Sequence, residues 1–194
     1  MSGDLLTQLA LLVAASASIF VFAARRSPAF GIAGGAFIAL SVDEASDIHE
    51  RLGRSMGDAG VQARLVQDLD SLVLAAYGLI LAALFLGRWR TLTAAPLGTT
   101  AMGGAFVLGG AAVAMDMFVP KGFPGAHGEE YLEAGAACLL AAVFVSHAGV
   151  TVSGSLARLS ASRALAQDVA AVLDDVPHGH ALDDRGQGAG HAAG

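Results

Sequence analysis

The sequence predicts an all-α integral membrane protein: a five-helix transmembrane bundle, a short cytoplasmic amphipathic helix and a disordered C-terminal tail. Of its 194 residues, 55% are hydrophobic and only 14% are charged, and the mean hydropathy is +0.61. This composition is typical of membrane proteins rather than of soluble domains. Abundant glycine and alanine favour closely packed transmembrane helices. Spans are expected to be helical because a bilayer offers the backbone no water to hydrogen-bond.

Five apolar segments are long enough to cross a bilayer core of roughly 30 Å as helices. They cover residues 5–24, 29–50, 69–87, 96–119 and 130–150, within a predicted bundle of residues 1–151. The first is expected to be a retained helix, because only Asp4 precedes it and a signal peptide needs a basic start. The polar, glycine-rich residues 51–60 read as a loop.

The C-terminal part of the chain has a different composition. Residues 152–175 mix apolar and charged positions, which predicts a cytoplasmic amphipathic helix. Residues 176–194 are rich in glycine, histidine, aspartate and alanine, which favours a disordered tail. Cys138 is the single cysteine, so an intramolecular disulfide is excluded.

The basic residues predict the orientation. In a chain with five spans, six of them fall on one side and four on the other. The six are Arg25, Arg26, Arg88, Arg90, Arg158 and Arg163; the four are Arg51, Arg54, Arg64 and Lys121. The positive-inside rule then predicts an inner (plasma) membrane protein with its N-terminus outside and its C-terminus cytoplasmic. The lipid bilayer is the expected partner, while the net charge of −6 argues against nucleic acid.

An acidic stretch ends the second apolar segment and contains Asp43, Glu44, Asp47, His49 and Glu50. If the helix continues through this stretch, successive residues turn by about 100°. Asp43, Asp47 and Glu50 then share one stripe of the helix, while His49 points away from it. Charge is costly near hydrocarbon, so such carboxylates usually face a bundle interior, water or a partner.

The five spans bring acids from several helix ends to the same side, where alanine and glycine line the faces next to them. We therefore predict a shared site that holds a divalent metal. Its expected ligands are Asp43, Glu44, Asp47, Asp116 and Glu133, followed by Asp70, Glu130 and His127. Asp70 and Glu130 start helices, so a role in stabilising the helix dipole is the alternative for these two residues.

The nature of the compensating charge stays open at this level. Clustered carboxylates repel one another, and a metal, shared protons, or Arg51 and Arg54 would relieve the repulsion. Carboxylates with imidazole favour Fe, Mn or Zn, whereas oxygen ligands alone favour Mg or Ca. The Glu-x-x-His signature of di-iron bundles is absent. No nucleotide-binding fingerprint is present, so no nucleotide is expected.

Two resemblances accompany these patterns. Asp43-Glu44 with His49-Glu50, followed by Glu129-Glu130-Tyr131-Leu132-Glu133, resembles a group of uncharacterised small bacterial multi-pass membrane proteins with LDE…HE and EE-x-LE stretches, over roughly residues 1–150. This resemblance implies a site and a bacterial origin but no reaction. Ser41, Asp43 and His49 are similar to residues of alkaline ceramidase-like membrane hydrolases, which use zinc; the second histidine pair of that family is missing.

Three functions therefore stay open. The first is a metal-dependent membrane hydrolase or oxidase, in which a metal-bound water acts on an amphiphilic substrate. The second is proton or cation transport or sensing, because acids within a membrane often mark ion paths. The third is a non-catalytic subunit that pairs with another membrane protein or with a second copy of the chain.

Overall fold

The computed structural model describes residues 3–60, 69–119 and 128–174, and these residues form helices and short connections without a β-strand. The helices are α1 (Gly3–Arg25), α2 (Pro28–Ser46), α3 (Ile48–Asp58), α4 (Leu69–Leu86), α5 (Trp89–Leu92), α6 (Gly98–Phe118) and α7 (Gly128–Asp174). The prediction of an all-α protein is confirmed over these ranges.

Five helices are long and apolar enough to cross a membrane. The candidate spans are Asp4–Arg25, Pro28–Ser46, Leu69–Leu86, Gly98–Phe118 and a segment within Gly128–Leu173. Each overlaps one of the five apolar segments of the sequence, although the second helix ends at Ser46, before the predicted end at residue 50. The composition and segment lengths therefore predicted the main helices correctly.

The chain divides into two compact units, and the boundary falls within α7. The first unit is Met1–Ser153, and the second begins at Gly154. Within the second unit, the described residues are the C-terminal part of α7, and their side chains are exposed through Leu173. Residues 152–174 thus extend α7 rather than forming a separate helix, and the predicted tail lies outside the described residues.

Aromatic side chains form the centre of the first unit. Phe30, Phe37, Phe85 and Phe144 are each at most 3% exposed, and we call them the aromatic layer. Phe144 on α7 lies edge-on to Phe37 at 5.0 Å between ring centroids and to Phe30 at 6.1 Å. Edge-to-face pairs at such distances are favourable beyond their buried area. The layer therefore joins α2, α4 and α7 with apolar contacts.

His147 on α7 extends this packing toward the end of the bundle where α1 ends. Its imidazole is 2% exposed, and Nε2 donates a hydrogen bond of 2.7 Å to the carbonyl oxygen of Leu92. The ring also lies 4.9 Å from the centroid of Phe30. A buried histidine with a backbone partner and an aromatic neighbour is a packing residue.

The second apolar segment differs from its prediction. A helix was expected to continue to about Glu50, but α2 ends at Ser46 and Asp47 adopts the left-handed conformation, with φ 50° and ψ 41°. The chain then re-enters a helix, α3, which covers most of the predicted loop. The reason is tertiary: Gly53 of α3 lies directly against the backbone of Asp70, where a Cβ would be 2.5 Å from the amide nitrogen.

Candidate functional site

Asp43 and His49 form the best-defined polar contact at the acidic end of the first unit. Asp43 is only 6% exposed. Its Oδ2 lies 2.7 Å from Nδ1 of His49, and its Oδ1 accepts the backbone N–H of the same residue at 3.0 Å. A carboxylate with two hydrogen bonds to one residue fixes that residue's imidazole. Among the described residues, none hydrogen-bonds to Nε2 of His49.

The helix break at Asp47 creates this pair. An unbroken helix predicts that His49 points away from Asp43. This prediction is wrong because the left-handed Asp47 turns the chain back. Asp47 itself is exposed, and Glu50 interacts with Arg54 at 3.6 Å on the surface. The single acidic stripe therefore does not exist. Aspartate tolerates the left-handed region better than most residues, which was the only local signal.

A second polar contact links α4 to α6. Ser71 is fully buried, and its Oγ donates a hydrogen bond of 2.7 Å to Oδ2 of Asp116. Sequence reasoning missed this serine because an uncharged hydroxyl beside two acids gives no distinctive pattern. Asp70 accepts the backbone N–H of Ser71 at 3.0 Å, which agrees with the alternative role of a carboxylate at a helix start.

Glu133 and Glu44 complete the arrangement. The charged groups that act most strongly on Glu133 are Glu44, Glu129, Asp116 and His49. Those around Glu44 are Asp4, His49, Asp43 and Asp47. The carboxylate of Glu133 on α7 is therefore within electrostatic range of Glu44 on α2 and of Asp116 on α6. We call Asp43, Glu44, His49, Asp116 and Glu133 the carboxylate–histidine cluster.

The cluster contains four of the five residues that the sequence ranked first, with Asp47 exposed at its edge. Glu130 is half-buried in the first turn of α7, and His127 lies outside the described residues. In the described ranges, neither Glu44 nor Glu133 forms a salt bridge with lysine or arginine. Arg51 and Arg54 are exposed, and the latter binds Glu50 instead.

Within the part of the chain that the structure describes, no three His, Cys, Asp or Glu side chains are already arranged to hold a metal ion. The metal site is therefore still a prediction. The Asp43–His49 pair has the arrangement common around metal-binding histidines, in which a carboxylate accepts one ring N–H and leaves the other nitrogen available.

The helices and the cluster define a class: an all-helical protein with five potential membrane spans and a polar cluster at one end. Residues 1–148 match the family described as Domain of unknown function (DUF8692), and the chain belongs to this family. The match ends close to the end of the first unit, so it covers the bundle that carries the cluster. No curated protein and no solved structure matches the chain.

Proposed function

We propose that this protein is a multi-pass inner (plasma) membrane protein that binds a divalent cation at the carboxylate–histidine cluster, on the extracytoplasmic side. Five helices of sufficient length and hydropathy support insertion in a membrane. The other end carries Arg25, Arg26, Arg88 and Arg90, at the end of α1 and between α4 and α6, and this distribution supports a cytoplasmic location for that end.

The carboxylates that three helices contribute to the cluster are the observation that carries the proposal. Glu133 is within electrostatic range of both Glu44 and Asp116, and no described lysine or arginine forms a salt bridge with these three residues. Like charges at close range in a low-dielectric environment repel, and a divalent cation removes that repulsion. The expected ligands are these carboxylates together with Nε2 of His49.

The donor set favours Fe, Mn or Zn over Mg or Ca because it combines imidazole with carboxylate. In the described chain these groups are not yet arranged around one point. Binding therefore requires side-chain rotation, which the long glutamate side chains allow. The ring of His49 needs no such rotation, since its Nδ1 is already hydrogen-bonded to Asp43.

The aromatic layer supports binding from one side rather than transport across the membrane. Its four phenylalanines are buried and pack edge-to-face. An ion that moves through a protein needs polar groups or water along its path, and these phenylalanines offer neither. The cluster is therefore best understood as a closed site that exchanges its cation with one compartment.

The experiment is a metal titration of the full chain in detergent, with bound Mn²⁺, Fe²⁺ and Zn²⁺ measured by elemental mass spectrometry. Glu133→Gln and Glu44→Gln keep side-chain size but remove a ligand charge, so each should lower occupancy. Asp58→Asn, at an exposed position of α3, is the matched control and should not. A chain that binds each metal far below one equivalent would contradict the proposal.

Proton sensing is the second candidate, and the Asp43–His49 pair favours it because it joins a buried carboxylate to an imidazole. In this case no metal binds, and the acids form a cluster that repels itself. Glu133→Gln should then raise the melting temperature, because it removes one of the repelling charges. Under the metal proposal the same variant lowers the melting temperature in saturating metal, so the two functions predict opposite signs.

A further inference from the structure

The end of the first unit opposite the cluster carries four exposed arginines: Arg25, Arg26, Arg88 and Arg90. In the described ranges, none of them forms a salt bridge with an acidic side chain. Arg88 lies in the turn after α4, and Trp89 and Arg90 begin α5. This region therefore places two guanidinium groups, neither of them paired with a described acidic side chain, at the same cavity as an indole.

An open cavity of about 360 Å³ lies at this turn and is lined by Leu86, Gly87, Arg88, Trp89, Arg90 and Thr91. The indole is held in place, since its centroid lies 6.2 Å from that of Phe106. The carbonyl oxygen of Trp89 accepts the backbone N–H of Thr93 at 2.9 Å and the hydroxyl of Thr93 at 2.8 Å. Trp89, which lines the cavity, is thus held against the packed bundle.

An apolar stripe leads along α4 to this cavity. Leu79 is 73% exposed and Leu86 is 63% exposed, and the exposed Ala83 lies between them. Positions separated by four and three residues share one face of a helix. The stripe therefore ends next to the arginines, so a ligand with a charged end and an apolar body can contact both.

We propose that this cavity binds the phosphate group of an anionic phospholipid, with the acyl chains along the α4 stripe. The inference depends on the proposed membrane insertion but not on the cation site. Guanidinium groups bind phosphate through paired N–H donors, and tryptophan is enriched at the membrane–water interface. Anionic lipids attract basic residues at the cytoplasmic surface, the side proposed above for this end.

The test is a titration of the full chain in detergent, followed by native mass spectrometry. The probes are a short-chain phosphatidylglycerol, a phosphatidylcholine of equal chain length and glycerol phosphate. We expect the phosphatidylglycerol to bind most tightly. The double variant Arg88→Gln with Arg90→Gln should weaken the binding of phosphatidylglycerol roughly 30-fold, because each substitution removes one arginine interaction with the lipid. Both positions are exposed, so an unchanged melting temperature would show that the fold is retained.

Two matched controls separate a built site from general charge attraction. Arg25→Gln with Arg26→Gln removes the same charge from the same end, and Arg51→Gln with Arg54→Gln removes it from the other end. Each of these two control variants should weaken phosphatidylglycerol binding less than about three-fold, far less than the loss of two arginine–lipid interactions would. Equal losses in all three would overturn the proposal, as would equal binding of phosphatidylcholine. Equal binding of glycerol phosphate would assign the site to free phosphate instead of lipid.

If the chain proves not to be membrane-embedded, extraction by alkaline carbonate will show this without any variant. That result would remove both proposals. A membrane-embedded chain that binds phosphatidylglycerol and phosphatidylcholine equally would remove only the lipid site, and the metal titration would still test the cluster.

Discussion

Asp43 is the most deeply buried acidic residue in the part of the chain that the structure describes. Its carboxylate is buried, and its two hydrogen bonds come from the backbone and side chain of His49. A buried charge that loses its partner pays the desolvation cost without compensation. The compensation of this buried charge therefore depends on a single histidine.

We expect His49→Ala to lower the free energy of unfolding by about 2 kcal/mol, the typical contribution of a hydrogen bond to a charged group. Arg54→Gln is the control, because Arg54 and Glu50 are 67% and 46% exposed and such surface pairs contribute about 0.5 kcal/mol or less. Unfolding in denaturant, followed by circular dichroism, measures both. Equal effects would show that the Asp43–His49 contact does not stabilise the fold.

Asp47 has a conformational role that is separable from its charge. Its φ of 50° lies in the left-handed region, which costs a residue with a Cβ about 1 kcal/mol. Asp47→Gly should therefore raise the free energy of unfolding by roughly this amount and leave metal occupancy unchanged. Asp47→Val should lower it, since β-branched residues rarely adopt this conformation. A loss of metal in Asp47→Gly would instead make this carboxylate a ligand.

At the scale of elements, α3 determines how the acidic end closes. It follows the break at Asp47 and packs on the start of α4, where Gly53 lies against the backbone of Asp70. The same helix places His49 in its first turn. Close approach of two backbones is therefore what brings the imidazole to Asp43.

Gly53→Ala tests this approach. The new Cβ would lie 2.5 Å from the amide nitrogen of Asp70 and 2.7 Å from its Cα, so α3 must move. We expect a loss of about 2 kcal/mol, as for other overpacked sites. Gly57→Ala on the same helix is the control: its Cβ would meet only Leu69 at 3.7 Å, and alanine favours helix by up to about 1 kcal/mol. Thermal unfolding of both variants should give opposite signs.

At the scale of the whole molecule, the first unit has two electrically different ends. Carboxylates gather where α2 and α6 end and where α4 and α7 begin, while arginines follow the ends of α1 and α4. The aromatic layer lies between these ends and is apolar. This distribution distinguishes the two ends of the first unit. In the proposed topology, the carboxylate end is extracytoplasmic and the arginine end is cytoplasmic.

Cysteine labelling tests that orientation. In a Cys138→Ala background, Ala59→Cys places an exposed thiol just after α3, and Ala94→Cys places one in the connection at the arginine end. In intact cells, we expect a membrane-impermeant maleimide to label the first variant and not the second. Permeabilised cells provide the control, because both thiols should then react. Labelling of Ala94→Cys alone would reverse the orientation.

The sequence by itself determined the all-helical fold and its five long apolar helices, because these follow from composition and from the length of each apolar segment. It also selected Asp43, Glu44, Asp116 and Glu133 as residues of one end, since charge at the end of an apolar helix is visible without knowledge of packing. Alternating direction of successive spans was enough to bring these residues to the same side.

Only the tertiary structure decided which of these side chains make contacts. The break at Asp47, the return of His49 to Asp43 and the bond from Ser71 to Asp116 depend on atoms from separate elements. Local propensity favoured an unbroken helix and then a glycine-rich loop. The close packing of α3 on α4 outweighed that preference. Gly53 weakens an isolated helix, but its lack of a side chain lets the backbone of α3 contact the backbone of α4.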